Sequence, residues 1–495
     1  MFSAAAMMIG CRFTPLHPLG GLDDQSFIAE DAELSVLAYD PLQFQERAEK
    51  LRERTPGLRL LSLGPSEGAD DLLALAAREA AGDLPAVPVE DDIAWLLYTG
   101  GTTGRPKGVM VVHRCFVQNF FLTLTEFQWP AEIRFLACTP ITHAAGTFVV
   151  PTLARGGTFI TMGGFDAGGF MARVEELRVT ATFLVPSIIY RLLDDPDLGE
   201  HDLRSLETII YGASPMSPQR MLEALERFGP VFNQLYAQSE APNTVCVLRK
   251  EDHDPARPHL LASCGQPMVG LQVQLQDEDG VEVPVGEVGE ICVRGRLVMN
   301  GYWKRPDLTA ETLRGGWLHT TDLARRDEES YLYIVDRKKD MIISGGFNVC
   351  PREVEDVLTE HPAVAVAAVI GVPDDRWGEA VKAIVVLRSG MAVEPGELIA
   401  LVRERKGPVH APKSVEFAES IPLTAVGKPD KKALRATYWG RSGPLRQLIH
   451  RRRGDRPGAT CRGRPEPGSP PSRPRLPSSH RSPPRGGRRS RSRAR

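Results

Sequence analysis

Short apolar runs alternate with helical patterns through the first half of the chain, and this alternation restricts the possible fold more than any other feature. Near-continuous apolar character is typical of strands that are buried on both faces. Helices that cover both faces of such strands give an α/β architecture with a largely parallel sheet. Six runs of this kind are predicted to be strands: Ile93–Thr99, Arg134–Cys138, Thr158–Thr161, Thr182–Val185, Thr208–Tyr211 and Val231–Leu235.

One of the intervening helices has recognisable ends. Ser217 can cap its first turn, and Pro218 suits the first helical position. Gly229 and Pro230 then end it. The apolar residues between these ends share one face of the helix: Met221, Leu222, Leu225 and Phe228.

The pattern changes after about residue 270. Gln272–Gln276 and Glu290–Arg294 are predicted to be antiparallel strands, and Asp279 and Gly280 supply a turn between them. A compact α+β module is predicted from about residue 340. Its elements are a helix that starts at Pro351, strands at Ala363–Ile370 and Ala380–Leu387, and a helix that carries Leu398, Leu401 and Val402.

Composition separates a third region from these two. Residues 441–495 contain 17 Arg, one Asp and one Glu, a charge of +15, so the overall charge of −3 leaves −18 for residues 1–440. This tail has few aliphatic residues and cannot bury enough apolar surface to offset the entropy of ordering, so we expect it to be disordered. We therefore divide the chain into a large α/β domain (1–336), a small mobile α+β domain (337–440) and the tail (441–495).

Bulk features narrow the class of protein further. The eight cysteines form no C-x-x-C pair, which favours reduced thiols and a cytoplasmic location. The sequence contains no run of about 18 apolar residues, so no transmembrane helix is predicted. The arginine-rich tail leaves peripheral membrane contact open. No aromatic residues interleave these arginines, so a nucleic-acid partner is not expected; a nucleic-acid binder that acts through the tail is kept as an alternative.

The most informative segment runs from a buried strand into a loop of glycines and threonines, Tyr98–Met110. Glycines let backbone N–H groups approach an anion closely, threonine hydroxyls donate to phosphate oxygens, and a lysine adds positive charge. The spacing does not match a Walker A loop. The candidate phosphate-binding residues are Thr99, Gly100, Gly101, Thr102, Thr103, Gly104 and Lys107.

This segment resembles the signature loop of the adenylate-forming superfamily, which includes acyl-CoA synthetases, peptide-synthetase adenylation domains and firefly luciferase. Other motifs of that family follow in order across roughly residues 5–440. The resemblance is nearest to fatty acyl-CoA ligases. It implies an enzyme that uses ATP and Mg²⁺ to convert a carboxylic acid into an acyl-adenylate and then transfers the acyl group to CoA.

Three motifs that follow predicted strands resemble the family's adenylate-binding segments. In Pro140–Gly146, the resemblance makes His143 a gate near the substrate carboxylate. Tyr211–Pro215 would lie beside the adenine and the acyl carbonyl through Gly212, Ala213 and Ser214. In Leu235–Glu240, the resemblance implies that Tyr236 contacts the adenine and that the Ser239 hydroxyl lies near the α-phosphate. It also implies that the Glu240 carboxylate faces Mg²⁺.

The later motifs supply the remaining parts of the implied site. Asp322 corresponds to the aspartate that accepts both ribose hydroxyls, and Arg337 to a ribose or phosphate contact. Lys339 aligns with the hinge between the domains, and Lys428 with the catalytic lysine. The segment that would line the pantetheine tunnel for CoA contains Ser344, Gly345 and Gly346.

The chain departs from the family pattern at several positions. Ala237 and Thr321 stand where the family has glycine, and Ser239 replaces threonine but keeps the hydroxyl. A β-branched residue at a site that needs positive φ costs about 1–3 kcal/mol, so Thr321 is hypothesised to weaken ATP binding. Cys350 also stands where an aromatic or aliphatic residue is frequent.

Several alternatives remain open from the sequence. A fatty acyl-AMP ligase that loads a separate carrier protein would share these motifs, although no carrier attachment segment follows. The phosphate loop starts only 97 residues into the chain, so the first segment of the large domain is expected to be absent and an inactive fragment is a rival. A pseudo-enzyme that binds nucleotide without turnover is another. The small apolar residues of positions 143–151 favour an aliphatic or aromatic acid, with a fatty acid preferred.

Overall fold

A computed structural model describes residues 2–18, 20–80, 82, 88–99, 106–337, 340–344, 347–374, 377–424 and 429–439. The side chains of residues 336, 337, 347, 348, 378 and 439 are also outside this description. Several predicted features therefore lie outside the described residues: Gly100, Gly101, Thr102, Thr103, Gly104, the Arg337 side chain, Lys339, Gly345, Gly346, Lys428 and the tail 441–495.

Strands and helices alternate through most of the described chain. The strands are β1 (Val36–Tyr39), β2 (Arg59–Ser62), β3 (Asp70–Asp71), β4 (Ile93–Thr99), β5 (Lys107–Val112), β6 (Arg134–Ala137), β7 (Thr158–Thr161), β8 (Ala181–Leu184), β9 (Thr208–Gly212), β10 (Phe232–Gln238), β11 (Ala241–Leu248), β12 (Gln266–Pro267), β13 (Gln272–Gln276), β14 (Val288–Arg294), β15 (Leu318–Arg326), β16 (Leu332–Arg337), β17 (Ile342–Ser344), β18 (Phe347–Val349), β19 (Val364–Asp374), β20 (Gly378–Leu387) and β21 (Ser414–Phe417). The helices are α1 (Phe2–Met8), α2 (Leu22–Asp31), α3 (Pro41–Arg54), α4 (Leu72–Ala76), α5 (His113–Glu126), α6 (Val149–Ala154), α7 (Ala167–Leu177), α8 (Pro186–Leu193), α9 (Pro218–Phe228), α10 (Pro306–Thr312), α11 (Pro351–Thr359), α12 (Pro395–Lys406) and α13 (Lys431–Trp439).

The central sheet has the strand order β12-β11-β10-β9-β8-β6-β7. The five strands from β7 to β10 run parallel, and β11 and β12 continue the sheet in antiparallel fashion. All four residues of β8 and all five of β9 are buried, as expected for strands covered on both faces. The predicted α/β architecture is confirmed, and five of the six predicted strands fall in this sheet with ends displaced by at most three residues.

The sixth predicted strand lies elsewhere. β4 pairs antiparallel with β5 in a separate two-stranded sheet. Its membership of the parallel sheet, predicted from its apolar run, is therefore wrong. The run is apolar because β4 is buried against other neighbours: Trp95 and Leu97 pack in a core that also holds residues of β11, β14 and β15.

The helix α9 begins and ends where the sequence predicted, but its capping differs. Ser217 occupies the cap position without a side-chain hydrogen bond to the first turn. Its Oγ lies 3.1 Å from Thr359 Oγ1 on α11 instead. A contact with the C-terminal part of the fold therefore replaces the predicted local cap.

The antiparallel segment and the small module also follow the prediction. β13 and β14 pair from Gln272 opposite Arg294 to Gln276 opposite Glu290, and β15 and β16 extend the sheet. The small α+β module surrounds the long β19–β20 ladder, and α11 and α12 cover it with buried apolar residues. Arg388, which follows β20, donates to Glu223 Oε1 of α9 at 2.8 Å. Among the described helices, none is long and apolar enough to cross a membrane.

Candidate active site

The carboxyl ends of the parallel strands bring several predicted residues to one edge of the central sheet. The segment with His143 follows β6, Ser214 follows β9, and Ser239 and Glu240 follow β10. In open α/β sheets, ligands bind in the crevice outside these strand ends. The topology alone therefore points to this edge as the candidate site.

The end of β9 shows why a glycine is required there. Gly212 lies opposite Leu235 of β10, and a Cβ atom at Gly212 would come within 2.4 Å of the Leu235 carbonyl oxygen. Real Cβ contacts are never that short, so any side chain would force β9 and β10 apart. Ala213 follows with a positive φ of 69°, a left-handed backbone that few non-glycine residues adopt. The chain thus turns sharply at the sheet edge.

A lysine, a tyrosine and a glutamate meet at one corner of the site. Lys107, the first residue of β5, donates to Tyr302 Oη at 2.5 Å and lies 3.2 Å from Glu240 Oε1. Tyr302 in turn donates to Glu240 Oε1 at 2.6 Å. Burial and the Glu240 carboxylate raise the pKa of Tyr302 above its usual value, so this hydroxyl stays protonated. The Glu240 side chain is 11% exposed and that of Lys107 27%.

A second cluster surrounds a buried aspartate. Tyr236 donates to Asp322 Oδ2 at 2.7 Å, and Gln238 Nε2 donates to the same oxygen at 2.7 Å. Burial and the nearby Asp322 carboxylate raise the pKa of Tyr236 well above its usual value. Because Tyr236, Gln238 and Glu240 lie on one short stretch of chain, the two clusters are neighbours. The structure therefore brings together Lys107, Tyr236, Glu240 and Asp322, which the sequence predicted for one site.

The turn before Asp322 has a left-handed backbone at Thr321, the position where the family has glycine. Thr321 has a φ of 64°, in the region that β-branched residues avoid. Its backbone N–H donates to Glu290 Oε1 at 2.8 Å. A register shift between β14 and β15 lies here, since Glu290 pairs with Leu323 and Cys292 pairs with His319.

Buried polar groups continue from this turn into the sheet. Arg314 lies 3.2 Å and His319 Nδ1 3.3 Å from Glu290 Oε2. The Cys292 thiol lies 3.3 Å from His319 Nδ1. Burial and the Glu290 carboxylate raise the pKa of Cys292 to about 12, so the thiol stays protonated.

The segment after β6 places His143 beside a second histidine. The rings of His143 and His17 meet edge to face with centroids 5.0 Å apart, and Thr142 Oγ1 lies 3.0 Å from His143 Nδ1. Ala145 and Phe148, which the sequence assigned to an acyl pocket, are 1% and 0% exposed and pack in the main core. Packing explains their apolar character, so they are not evidence for the kind of acid.

Sequence reasoning missed four residues that this site contains: His17, Gln238, Glu290 and Tyr302. Tyr302 is far from Lys107 and Glu240 in the chain, and its role depends on a tertiary contact. Gln238 and Glu290 are polar residues inside strands. The apolar pattern of a strand predicts the strand itself but not the contacts of a polar residue within it. The remaining signal was weak. Gln238 lies within the motif Leu235–Glu240, and Glu290 and Tyr302 each follow a glycine.

A glycine-rich segment between two paired strands, a lysine–carboxylate pair and a buried aspartate that meets the carboxyl end of β10 indicate a nucleotide-dependent enzyme. Comparison with known proteins agrees with this class. Residues 1–303 match the AMP-binding enzyme family, and residues 353–428 match the AMP-binding enzyme C-terminal domain. The chain belongs to the AMP-binding enzyme family.

Individual relatives are similar over most of their length. A medium/long-chain-fatty-acid–CoA ligase of Mycobacterium tuberculosis is 50% identical over 462 residues, which cover 90% of this chain and 80% of the relative. A feruloyl-CoA synthase of an Amycolatopsis species is 40% identical, with 87% and 84% covered. The solved amide bond synthetase McbA of Marinactinospora thermotolerans superposes with a TM-score of 0.83 at 37% identity, with 88% and 87% covered.

Proposed function

We propose that this protein is an AMP-forming carboxylate–CoA ligase that activates a fatty acid with ATP and transfers the acyl group to CoA. The observation that carries the proposal is the convergence of Lys107, Glu240 and Asp322 around the carboxyl end of β10, within a chain that belongs to the AMP-binding enzyme family. Relatives named as fatty-acid–CoA ligases support the substrate class.

The first half-reaction joins the acid to the α-phosphate of ATP. A carboxylate oxygen forms a bond to the α-phosphorus while the bond to pyrophosphate breaks. Negative charge builds on the phosphoryl oxygens, so fixed cations and hydrogen-bond donors stabilise this transition state. In the proposed arrangement Lys107 faces the β- and γ-phosphates, Ser239 the α-phosphate and Tyr236 the adenine.

The ribose and the reacting carboxylate have their own proposed partners. The Asp322 carboxylate accepts the ribose hydroxyls, and Arg337 contacts the ribose or a phosphate. His143 is proposed as a gate near the substrate carboxylate, and Lys428 as the bridge between the carboxylate and the phosphate–ribose region. The segment from Thr99 to Gly104 and the turn from Gly212 to Ser214 cradle the nucleotide through small side chains and backbone N–H groups.

The donor set fits Mg²⁺. A hard cation that bridges phosphates requires one or two carboxylates with waters, and Glu240 offers a nearly buried carboxylate whose Oε1 is already oriented by Tyr302. Bound Mg²⁺ would supply charge neutralisation of the polyphosphate. The Lys107 ammonium, 3.2 Å from the same carboxylate, would add positive charge beside the phosphates.

The second half-reaction requires a different set of groups. The CoA thiol attacks the acyl carbonyl, and AMP leaves as the bond to the phosphate oxygen breaks. We propose that the small domain (337–440) turns about Lys339 relative to the large domain (1–336), which withdraws Lys428 and presents Ser344, Gly345 and Gly346 to CoA.

Reduced thiols support a cytoplasmic location, since every cysteine in the described part of the chain is free.

The direct test follows acyl-CoA formation by mass spectrometry with ATP, Mg²⁺, CoA and a panel of carboxylic acids from short to long chains. We expect CoA thioesters of medium or long fatty acids, and no product after chelation of Mg²⁺. Acyl-adenylate that accumulates but is never transferred to CoA would instead favour a carrier-loading ligase, the activity named for a relative 36% identical to this chain. Nucleotide binding without adenylate would favour a pseudo-enzyme.

Thr321 gives a prediction about strain. Thr321 has a positive φ of 64°, and such strain costs about 1–3 kcal/mol. Thr321→Gly should therefore raise the thermal melting temperature, and ATP should bind more tightly if the turn relaxes in part of the unliganded molecules. Ser330→Gly is the matched control, because Ser330 has a φ of 70° in a turn between β15 and β16. It should raise the melting temperature without changing the ATP dissociation constant. Equal ATP affinity in Thr321→Gly and the parent would reject the weakened-binding hypothesis.

A further inference from the structure

We infer that Glu290 is a positioning residue that fixes the ribose-binding aspartate by holding the bulge before it. The inference rests on the proposed function, because Asp322 is assigned to the ribose there. Glu290 touches neither of the clusters that face the nucleotide directly, and its assigned effect passes through the backbone of Thr321.

The bulge itself is the first part of the argument. Between the pairs Glu290–Leu323 and Cys292–His319, β15 contains three residues, 320 to 322, opposite the single residue Ile291. A bulge next to an active site commonly re-aims a side chain. Here the last of these three residues is Asp322, whose carboxylate meets Tyr236 and Gln238.

Neighbouring residues of β14 hold this bulge in place. Glu290 Oε1 accepts the Thr321 N–H at 2.8 Å, and the Ile291 carbonyl accepts the Thr320 hydroxyl at 2.7 Å. The Asp322 N–H donates to that same Thr320 Oγ1 at 3.2 Å. The left-handed Thr321 is therefore held by a carboxylate, and a charged acceptor makes a stronger hydrogen bond than a neutral one.

The second oxygen of Glu290 prevents the carboxylate from turning away. Arg314 and His319 Nδ1 lie 3.2 and 3.3 Å from Oε2. Glu290 is 6% exposed, and His319 is also 6% exposed. A nearly buried carboxylate with partners on both oxygens has a fixed orientation, which a role in positioning the bulge requires.

The three side chains Glu290, Cys292 and His319 also have ligand atoms within 4.8 Å of one another. Their side chains already form a hydrogen-bonded network, and the Arg314 guanidinium supplies positive charge 3.2 Å from Glu290 Oε2. The geometry thus favours support of the bulge over metal binding.

The test compares ATP with 2′-deoxy-ATP, because only ATP has the ribose 2′-hydroxyl. A correctly placed Asp322 carboxylate accepts a hydrogen bond from that hydroxyl. Binding of each nucleotide is measured by calorimetry for the parent, Glu290→Ala and Glu290→Gln. We expect the parent to prefer ATP by at least about tenfold, the effect of one hydrogen bond to a charged group. Glu290→Ala should lose most of that preference, mainly through weaker ATP binding. Glu290→Gln keeps an acceptor for the Thr321 N–H and should retain much of it.

Glu282→Ala is the matched control, since Glu282 pairs with Arg326 at 2.8 Å beside the same sheet and is more exposed. It should leave the preference unchanged. The inference is overturned if Glu290→Ala loses affinity equally for both nucleotides or keeps the parent's preference for ATP. It is also overturned if the parent shows no preference between the two nucleotides. A folded parent that binds neither nucleotide contradicts the proposed function itself. Thermal melting of each variant separates these outcomes from misfolding, and Glu290→Gln carries the test if Glu290→Ala does not fold.

Discussion

Lys428→Ala should slow acyl-adenylate formation by about 10²–10³-fold, the usual cost of removing one oriented group that faces developing charge. The lysine belongs to the segment Pro422–Pro429, which resembles the family's last motif, and the proposed reaction places its ammonium between the carboxylate and the phosphate–ribose region. The measurement is pyrophosphate release with ATP, Mg²⁺ and the preferred acid in the absence of CoA.

The same variant should transfer a supplied acyl-adenylate to CoA at nearly the parent rate. In the proposed second step the small domain has turned and Lys428 no longer faces the acyl group. Lys432→Ala is the control, because Lys432 is an exposed lysine of α13 only four positions further on. Loss of both half-reactions to the same degree would indicate damage to the small domain, and full adenylation activity would remove Lys428 from the catalytic residues.

Glu240→Gln should have the second largest effect. The substitution keeps the shape of the side chain but removes the charge that the proposed Mg²⁺ site uses, so we expect adenylate formation to fall about 10²-fold and the half-saturating Mg²⁺ concentration to rise. Lys107 would also lose its ion-pair partner at 3.2 Å. The measurement is the rate of adenylate formation across a Mg²⁺ titration at fixed ATP.

Tyr302→Phe distinguishes charge from orientation at the same corner. It leaves Glu240 and Lys107 in place and removes only the hydroxyl that joins them. We expect a smaller loss of rate than in Glu240→Gln, because both charges remain, and a smaller shift in Mg²⁺ dependence. If Glu240→Gln lowered the rate at every Mg²⁺ concentration without moving the half-saturation point, the carboxylate would not serve as the metal ligand.

The parallel sheet could be predicted from the sequence because of how its strands are buried. β8 and β9 are covered on both faces, so every side chain is apolar or small and the runs end sharply at glycine or proline. The same signal misassigned β4, because burial between other elements produces the same apolar run as burial in a parallel sheet. Periodicity alone does not identify the pairing partner.

The site was predictable only where its residues lie in motifs. Lys107 belongs to a segment whose composition suits phosphates, and Glu240 and Asp322 belong to segments that resemble family motifs. The structure places the three residues together. The sequence raises the possibility of positive φ at position 321, where the family has glycine, and Thr321 has a φ of 64°. Glu290 and Tyr302 act through tertiary neighbours and a register shift, which no local pattern encodes.

The β4–β5 ladder has a consequence for how tolerant this chain is to change. Thr99 and Lys107 face each other in that ladder, so the strand register decides which face Lys107 occupies. Side chains alternate with a period of two, and a slip of a single residue would move the ammonium to the opposite face. Val109 and Val111, both at most 1% exposed, resist that slip because it would bring them out of the core. Two buried aliphatic residues of β5 thereby help to hold the Lys107 ammonium within reach of the Glu240 carboxylate.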